Sequence, residues 1–416
     1  NVGAMSRYLT QVQRNPLYNR VRDKIGEFVE THGALNTLVR KWEESVKSFL
    51  TPGVLFEELG FRYFGPIDGH DLDVLLDTFE LVRERGGPRL VHVITQKGRG
   101  FPAGEHGEKW HALPPGHDPA TGKQLKVSTA NPAYTAVFGK GLGELMNERA
   151  DVVAITAAMP SGTGVGGAAK AHPTRVFDVG IAEGHGVTFA AGMATRGVRP
   201  VVAIYSTFLQ RAYDNVIHDV ALQSLPVVFA MDRAGLVGED GETHMGLYDI
   251  AYMLAVPNMI VTAPKDGTEL LALLRAGLEQ TGGPFCVRYP RDAAPELVPA
   301  MSAIQATRHA TWEVLRRGTD GVAILAVGTM VQESLAAAEA LGAEGIRVTV
   351  VNCRYLKPHD EVTLAALLAS HKTLLVVEEG TVVNGFGAYL ARLVEQQDAG
   401  VRVIALERPG YGLSDM

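Results

Sequence analysis

Apolar and polar positions fall into three regimes along the chain. Residues 5–56 are polar and helix-prone, with weak periodicity and no run that reads as a strand. A short β-α-β unit follows, with strands at Phe61–Phe64 and Leu90–Thr95 around a helix over Leu72–Glu84. Residues 97–132 are rich in Gly, Pro and His and predict a long loop or linker. The alternation then becomes regular. Apolar or β-branched runs at Val152–Thr156, Arg175–Asp178, Val201–Tyr205, Val227–Asp232, Met259–Thr262 and Phe285–Arg288 read as strands. Helices are expected between them at about Glu183–Arg196, Phe208–Gln223 and Gly267–Thr281. Strands with almost no polar alternation belong to parallel sheets covered by helices on both faces. A smaller version closes the chain, with strands Gly321–Val327, Arg347–Asn352 and Thr373–Glu378 and helices near Met330–Gly342 and Glu361–Ser370. The pattern predicts an α/β protein of successive doubly wound parallel sheets, divided as residues 1–125, 126–300 and 301–416.

Composition narrows the classes of function. The 416 residues are 46% apolar and 20% charged, an ordinary globular balance with material for several cores. The net charge of −7, without a basic run, gives no support to nucleic-acid binding or attraction to a membrane surface. Every apolar stretch is interrupted well short of the ~18 residues a span needs. The two cysteines, Cys286 and Cys353, sit in apolar strand-like runs, which predicts free thiols and a reducing cytosol.

Ligands of open parallel sheets bind outside the carboxyl ends of the strands. The second strand of the middle block leads into Asp178-Val-Gly-Ile-Ala-Glu183, and the third into Tyr205-Ser-Thr-Phe208-Leu-Gln-Arg211. After the fourth come Arg233 and the loop Gly238-Glu-Asp240-Gly-Glu-Thr-His244, and the last closes on Arg288-Tyr-Pro-Arg291. Each residue has a local explanation: Glu183 as a first-turn acid, Phe208 as core, Asp240 and His244 as turn residues, Arg233 and Arg291 as surface ion pairs. Their joint placement predicts an anionic substrate and proton transfer, because arginine forks match phosphate and carboxylate oxygens. The string Gly162-Thr-Gly164-Val-Gly-Gly167 imitates a dinucleotide fingerprint, but only about one and a half helical turns fit before Pro173, too few for the crossover helix such a site needs.

The runs Asp178–His185, Tyr205–Asp214, Asp232–His244 and Val287–Arg291 closely resemble those of 1-deoxy-D-xylulose-5-phosphate synthases. So do Gly65-Pro-Ile-Asp-Gly-His70-Asp71, Lys97-Gly-Arg-Gly100 and Lys109-Trp-His111. The resemblance implies a transketolase-like, thiamine-diphosphate-binding fold of three domains, a homodimer, and two substrates, pyruvate and D-glyceraldehyde 3-phosphate. It implies decarboxylation of the first and transfer of the two-carbon unit to the second, the opening step of non-mevalonate isoprenoid synthesis. Glu183 matches the glutamate that hydrogen-bonds the cofactor's aminopyrimidine and favours its imino tautomer. Phe208 matches the aromatic that stacks on that ring, Lys97 a lysine near the diphosphate, and His111 a histidine facing the reacting centre. Tyr205, Arg211, Arg233, Asp240, His244 and Arg291 match residues that hold or protonate the acceptor and its phosphate. The alternatives are another transketolase-like enzyme, a 2-oxoacid dehydrogenase β-type subunit, or an inactive fragment needing a partner chain.

One family feature is missing. The family binds Mg2+ through Gly-Asp-Gly and a later Asn, and Gly-Asp-Gly occurs nowhere in this chain. The expectation is therefore that the metal site lies upstream of Asn1, that the chain begins inside its first domain, and that it stops before the family's last helices. Residues 301–416 carry no catalytic signature and read as a dimerisation domain.

Overall fold

The computed structural model describes residues 53–101, 104–105, 118, 131–238, 240–296, 298–397 and 399–407, and the chain divides after Ser128 into two compact units. In the first, β1 (Arg62–Asp68) and β2 (Arg89–Ile94) pair in parallel around the helix Leu72–Arg83. The helix starts where Asp71 accepts a 3.2 Å hydrogen bond from Val74 N, satisfying one of the donors a helix start leaves open. Tyr63, Phe64 and Ile67 of β1 are buried.

The second unit holds two sheets. The strands are β3 (Val152–Thr156), β4 (Val176–Asp178), β5 (Arg199–Tyr205), β6 (Val228–Asp232), β7 (Ile260–Thr262), β8 (Phe285–Arg288), β9 (Glu313–Arg316), β10 (Val322–Ala326), β11 (Thr349–Asn352), β12 (Tyr355–Lys357), β13 (Thr373–Glu378) and β14 (Arg402–Glu407). The larger sheet runs β12-β7-β8-β6-β5-β3-β4, parallel except for β12. The smaller runs β14-β13-β10-β11-β9, parallel except for β9. β3, β5, β6 and β8 are buried almost throughout, which is why they read as unbroken apolar runs. One apolar cluster extends from Val202 and Phe229 through Ile250 and Met253 to Leu325, Cys353 and Phe386, so the two sheets share a core. Cys286 and Cys353 are buried free thiols. Among the described residues no helix is long and apolar enough to cross a membrane.

The structure departs from the sequence pattern in several places, among them an unexpected helix at Asp249–Ala255. A fifteen-residue helix, Tyr134–Glu148, opens the unit where none is expected. The helix expected over Phe208–Gln223 is broken into α-helix Ser206–Leu209, a 3₁₀ turn Gln210–Ala212, α-helix Tyr213–Asn215 and a π-helical stretch Val216–Ala221. Two short strands, β9 and β12, and the helix Phe386–Gln396 are added in the closing block, and β14 is the late strand that ends at Glu407.

Candidate functional site

β5 delivers the centre of the site. It ends on Tyr205, and the chain turns at once into Ser206–Leu209, which projects Phe208 beside it with the two rings stacked 5.6 Å apart. The 3₁₀ turn that follows carries Arg211, whose Nη1 donates to Glu183 Oε1 at 3.0 Å. Glu183 is the first residue of the helix Glu183–Ala194 and is 5% exposed. Arg211 is 60% exposed, so this ion pair is worth about 0.2–1 kcal/mol, and an incoming ligand can displace it. The carboxylate is fixed by its helix; its partner is not.

Arg233 is held quite differently. It follows β6 in a left-handed conformation, φ 60°, which turns its guanidinium back over the Tyr205 ring at 3.9 Å. A desolvated stack of this kind contributes roughly 2 kcal/mol. Nη1 also lies 2.9 Å from Asp232 Oδ1 and donates to Gly162 O at 2.7 Å. Asp232 is completely buried and takes a second bond, 2.7 Å, from Thr135 Oγ1. Burial pushes the Asp232 carboxyl up to about 6, against the downward pull of Arg233 and the Thr135 bond. Burial likewise raises Tyr205 to about 12, so its phenol stays neutral and able to donate.

The loop after Arg233 completes the edge. Asp240 lies between two arginines, 3.4 Å from Arg233 Nε on one side and ion-paired to Arg291 Nη1 on the other. His244 ends a 3₁₀ turn and meets the Phe208 ring edge-on at 5.2 Å. Glu183, Arg211, Phe208, Tyr205, Arg233, Asp240, Arg291 and His244 are thus linked by direct contacts at the carboxyl edge of the larger sheet. Chemically this is a buried carboxylate, a half-buried aromatic face and an alternating row of arginine and aspartate.

Other residues singled out from the sequence lie elsewhere. Lys97 is an exposed residue of the first unit, and His111, like Lys109, falls outside the described residues. Asp178 braces its own loop, accepting from Ala158 N at 2.7 Å and Gly180 N at 3.0 Å. Arg288 does not join the arginines at the edge; it is buried against Asp249, 2.9 Å away, and Glu379 O, 3.0 Å away. Asp232, Thr135 and Gly162 have supporting positions that sequence reasoning did not assign. Asp232 opens the run Asp232–His244, but its partner Thr135 lies on the unexpected helix, 97 residues away. The Gly162–Gly167 string runs into a helix of only six residues, Gly166–Ala171. Among the described residues no group of three or more His, Cys, Asp or Glu is placed to hold a metal ion.

Comparison with known proteins gives this arrangement its relatives. Residues 1–95 match the family described as 1-deoxy-D-xylulose-5-phosphate synthase, 130–296 the transketolase pyrimidine-binding domain, and 310–410 the transketolase C-terminal domain. A 1-deoxy-D-xylulose-5-phosphate synthase of Aquifex aeolicus is 50% identical over 98% of the chain, and synthase 2 of Geobacter sulfurreducens 45% identical over 99%. The chain spans 64% and 66% of their respective lengths. Among solved structures, a split-gene transketolase described as an inactive β4 tetramer superposes with a TM-score of 0.61 at 30% identity, covering 67% of this chain and 90% of that one. A Pichia stipitis transketolase shares the fold at 20% identity, TM-score 0.53, covering 73% of this chain and 50% of its own. With relatives of one kind matching from end to end, and a transketolase-like fold beneath the loops that carry the likeness, the chain belongs to the 1-deoxy-D-xylulose-5-phosphate synthase family.

Proposed function

We propose that the protein carrying this chain decarboxylates pyruvate and transfers the remaining two-carbon unit to D-glyceraldehyde 3-phosphate, forming 1-deoxy-D-xylulose 5-phosphate with the aid of thiamine diphosphate. The observation that carries the reading is the buried Glu183 carboxylate, joined through Arg211 to the half-buried Phe208 ring, on the same sheet edge as Arg233, Asp240 and Arg291. A carboxylate next to an aromatic face fits an aminopyrimidine, which offers a flat ring and a hydrogen-bonding edge. When bound, thiamine diphosphate supplies the electron sink for the carbanion that loss of CO2 leaves behind. Glu183 would hold the pyrimidine edge and share its proton, and Phe208 would support the ring's face. Arg233 and Arg291 would receive the acceptor's phosphate, whose roughly two negative charges suit a pair of guanidiniums. Asp240 keeps that pair in place until the phosphate arrives. Arg211, Tyr205 and His244 border the same space, with His244 and the Tyr205 phenol as proton carriers toward the acceptor oxygen. Lys97 and His111 complete the proposal at the diphosphate and the reacting centre, and Mg2+ is assigned no ligand in this chain.

The test of the central assignment is Glu183→Gln in the full-length protein, assayed with pyruvate and glyceraldehyde phosphate. Turnover should fall about 10²–10⁴-fold, the range for loss of a positioned proton-transfer group, with the circular dichroism spectrum unchanged. Retained turnover would sink the role of Glu183. The working assembly is proposed to be a cytoplasmic homodimer, and a monomer mass in sedimentation at micromolar concentration would contradict that.

A further inference from the structure

One strand end of the closing block fastens the loop that carries part of the charged edge. That loop runs from Arg233 to Tyr248 and carries Asp240 and His244. It closes through paired backbone bonds between Gly235 and Gly246, 2.8 and 2.9 Å long. Its interior is a small apolar cluster of Val237, Met245 and Leu247, separate from the main cores. A loop with so little core of its own keeps its shape through whatever holds its stem.

The stem is held by the segment that follows β13. Thr381 N donates to Leu247 O at 3.0 Å. Glu379, 5% exposed, packs its carboxylate against Gly235, which has φ 79°. A Cβ at that glycine would fall 2.4 Å from Glu379 Oε2, so nothing but glycine lets the acid approach this closely. Glu379 is fixed from behind as well. Thr329 Oγ1 donates to its Oε2 at 3.2 Å, and Arg288 Nη2 donates to its carbonyl at 3.0 Å. The same guanidinium bonds Asp249 Oδ2 at 2.9 Å, and Asp249 begins the helix that the loop leads into. Both ends of the loop are therefore referred to one point in the closing block.

We propose that Glu379 is a positioning residue for the Asp240–His244 loop, and that the closing block thereby sets the geometry of the acceptor end of the site. The proposal rests on the reading of that loop as the place where the phosphorylated aldehyde binds. Glu379→Ala removes the carboxylate behind Gly235, and Glu379→Gln keeps its size and its oxygen for Thr329. Thr329→Val removes one hydrogen bond to Glu379 and changes no residue of the loop itself.

Two measurements on the full-length protein decide the matter: amide hydrogen exchange over residues 235–247, and kinetics with each substrate varied separately. In Glu379→Ala, exchange over the loop should quicken while β5 and β6 keep their protection. The kcat/KM for the aldehyde should fall about 10–100-fold, the scale of a misplacement of order 1 Å. Most of that loss should appear in the aldehyde KM, with the pyruvate KM unchanged. Glu379→Gln should restore both, and Thr329→Val should give smaller changes of the same kind. If Glu379→Ala does not fold, Thr329→Val carries the test alone. Unchanged loop exchange in the folded variants overturns the proposal. Faster exchange with an unchanged aldehyde KM leaves the anchor standing and overturns the reading of the loop as the acceptor site.

Discussion

Gly162 is bare because Tyr205 needs the room. A Cβ there would lie 2.1 Å from the Tyr205 hydroxyl, while the Gly162 carbonyl takes a hydrogen bond from Arg233. In the sequence this glycine belongs to a string that resembles a nucleotide fingerprint, and its real task, close packing against a tyrosine 43 positions later, has no local signature. Gly162→Ala should push Tyr205 out from between Phe208 and Arg233, at a cost of about 1–3 kcal/mol typical of overpacking. The measurable result is a loss of aldehyde-dependent turnover and a lower melting temperature, and adding Tyr205→Phe, which removes the clashing oxygen, should partly recover the melting temperature. Absence of any recovery in the double variant would mean that the hydroxyl is not what the new methyl meets. Arg288 and Arg291 teach the same lesson. Three positions apart, they read alike in the sequence, and only Asp249 and Glu379, 39 and 91 residues from Arg288, send one of them into the interior.

Elements were legible wherever burial on both faces wrote an unbroken apolar run. The six strands of the larger sheet's parallel part, β3 to β8, lie within two residues of where the pattern puts them. What escaped notice has identifiable causes. The helix Tyr134–Glu148 contains Gly139, Gly141 and Gly143, which lower helix propensity, although Tyr134, Val137, Phe138, Leu142, Leu145 and Met146 keep the helical spacing. The helix Phe386–Gln396 follows Asn384-Gly385, which reads as a turn, and has no side-chain cap of its own. Its first N–H groups, Phe386 N and Gly387 N, are satisfied by the Glu378 carboxylate at 2.9 and 2.8 Å, from the end of β13. β9 and β12 have four and three residues, too few for alternation to register. The break in the helix after β5 is the costliest miss for function, since the 3₁₀ turn inside it carries Arg211. Of the candidate site, the acids, arginines and aromatic that cluster were legible from strand ends alone. The pairings that join different βα loops, Glu183 with Arg211, Tyr205 with Arg233, Phe208 with His244 and Asp240 with Arg291, were not.

At the scale of the whole second unit, the two sheets are tied by a strand that belongs to one in sequence and to the other in space. β12 follows β11 by two residues, yet it leaves the smaller sheet and pairs antiparallel with β7, Tyr355 opposite Thr262 and Lys357 opposite Val261. Lys357 then reaches the end of the helix Asp249–Ala255, where its Nζ donates to Leu254 O at 2.9 Å and Val256 O at 2.6 Å. With a shared core and this lashing, residues 129–416 should melt in one calorimetric transition. Lys357→Met should lower that transition by the equivalent of about 1–3 kcal/mol, the range for losing hydrogen bonds from a charged donor. Two separated transitions within this unit of the unaltered protein would refute the coupling.

The excursion of β12 also matters to anyone who would separate the parts. A chain cut near residue 300, where the sequence invites a boundary, would lose β12 and uncover the outer side of β7. Ile260, Val261 and Thr262 would then form a bare, apolar strand edge, the kind that recruits a strand from another molecule. A piece excised at that point is headed for aggregation, however sound its own core, because its edge protector is encoded more than fifty residues further on.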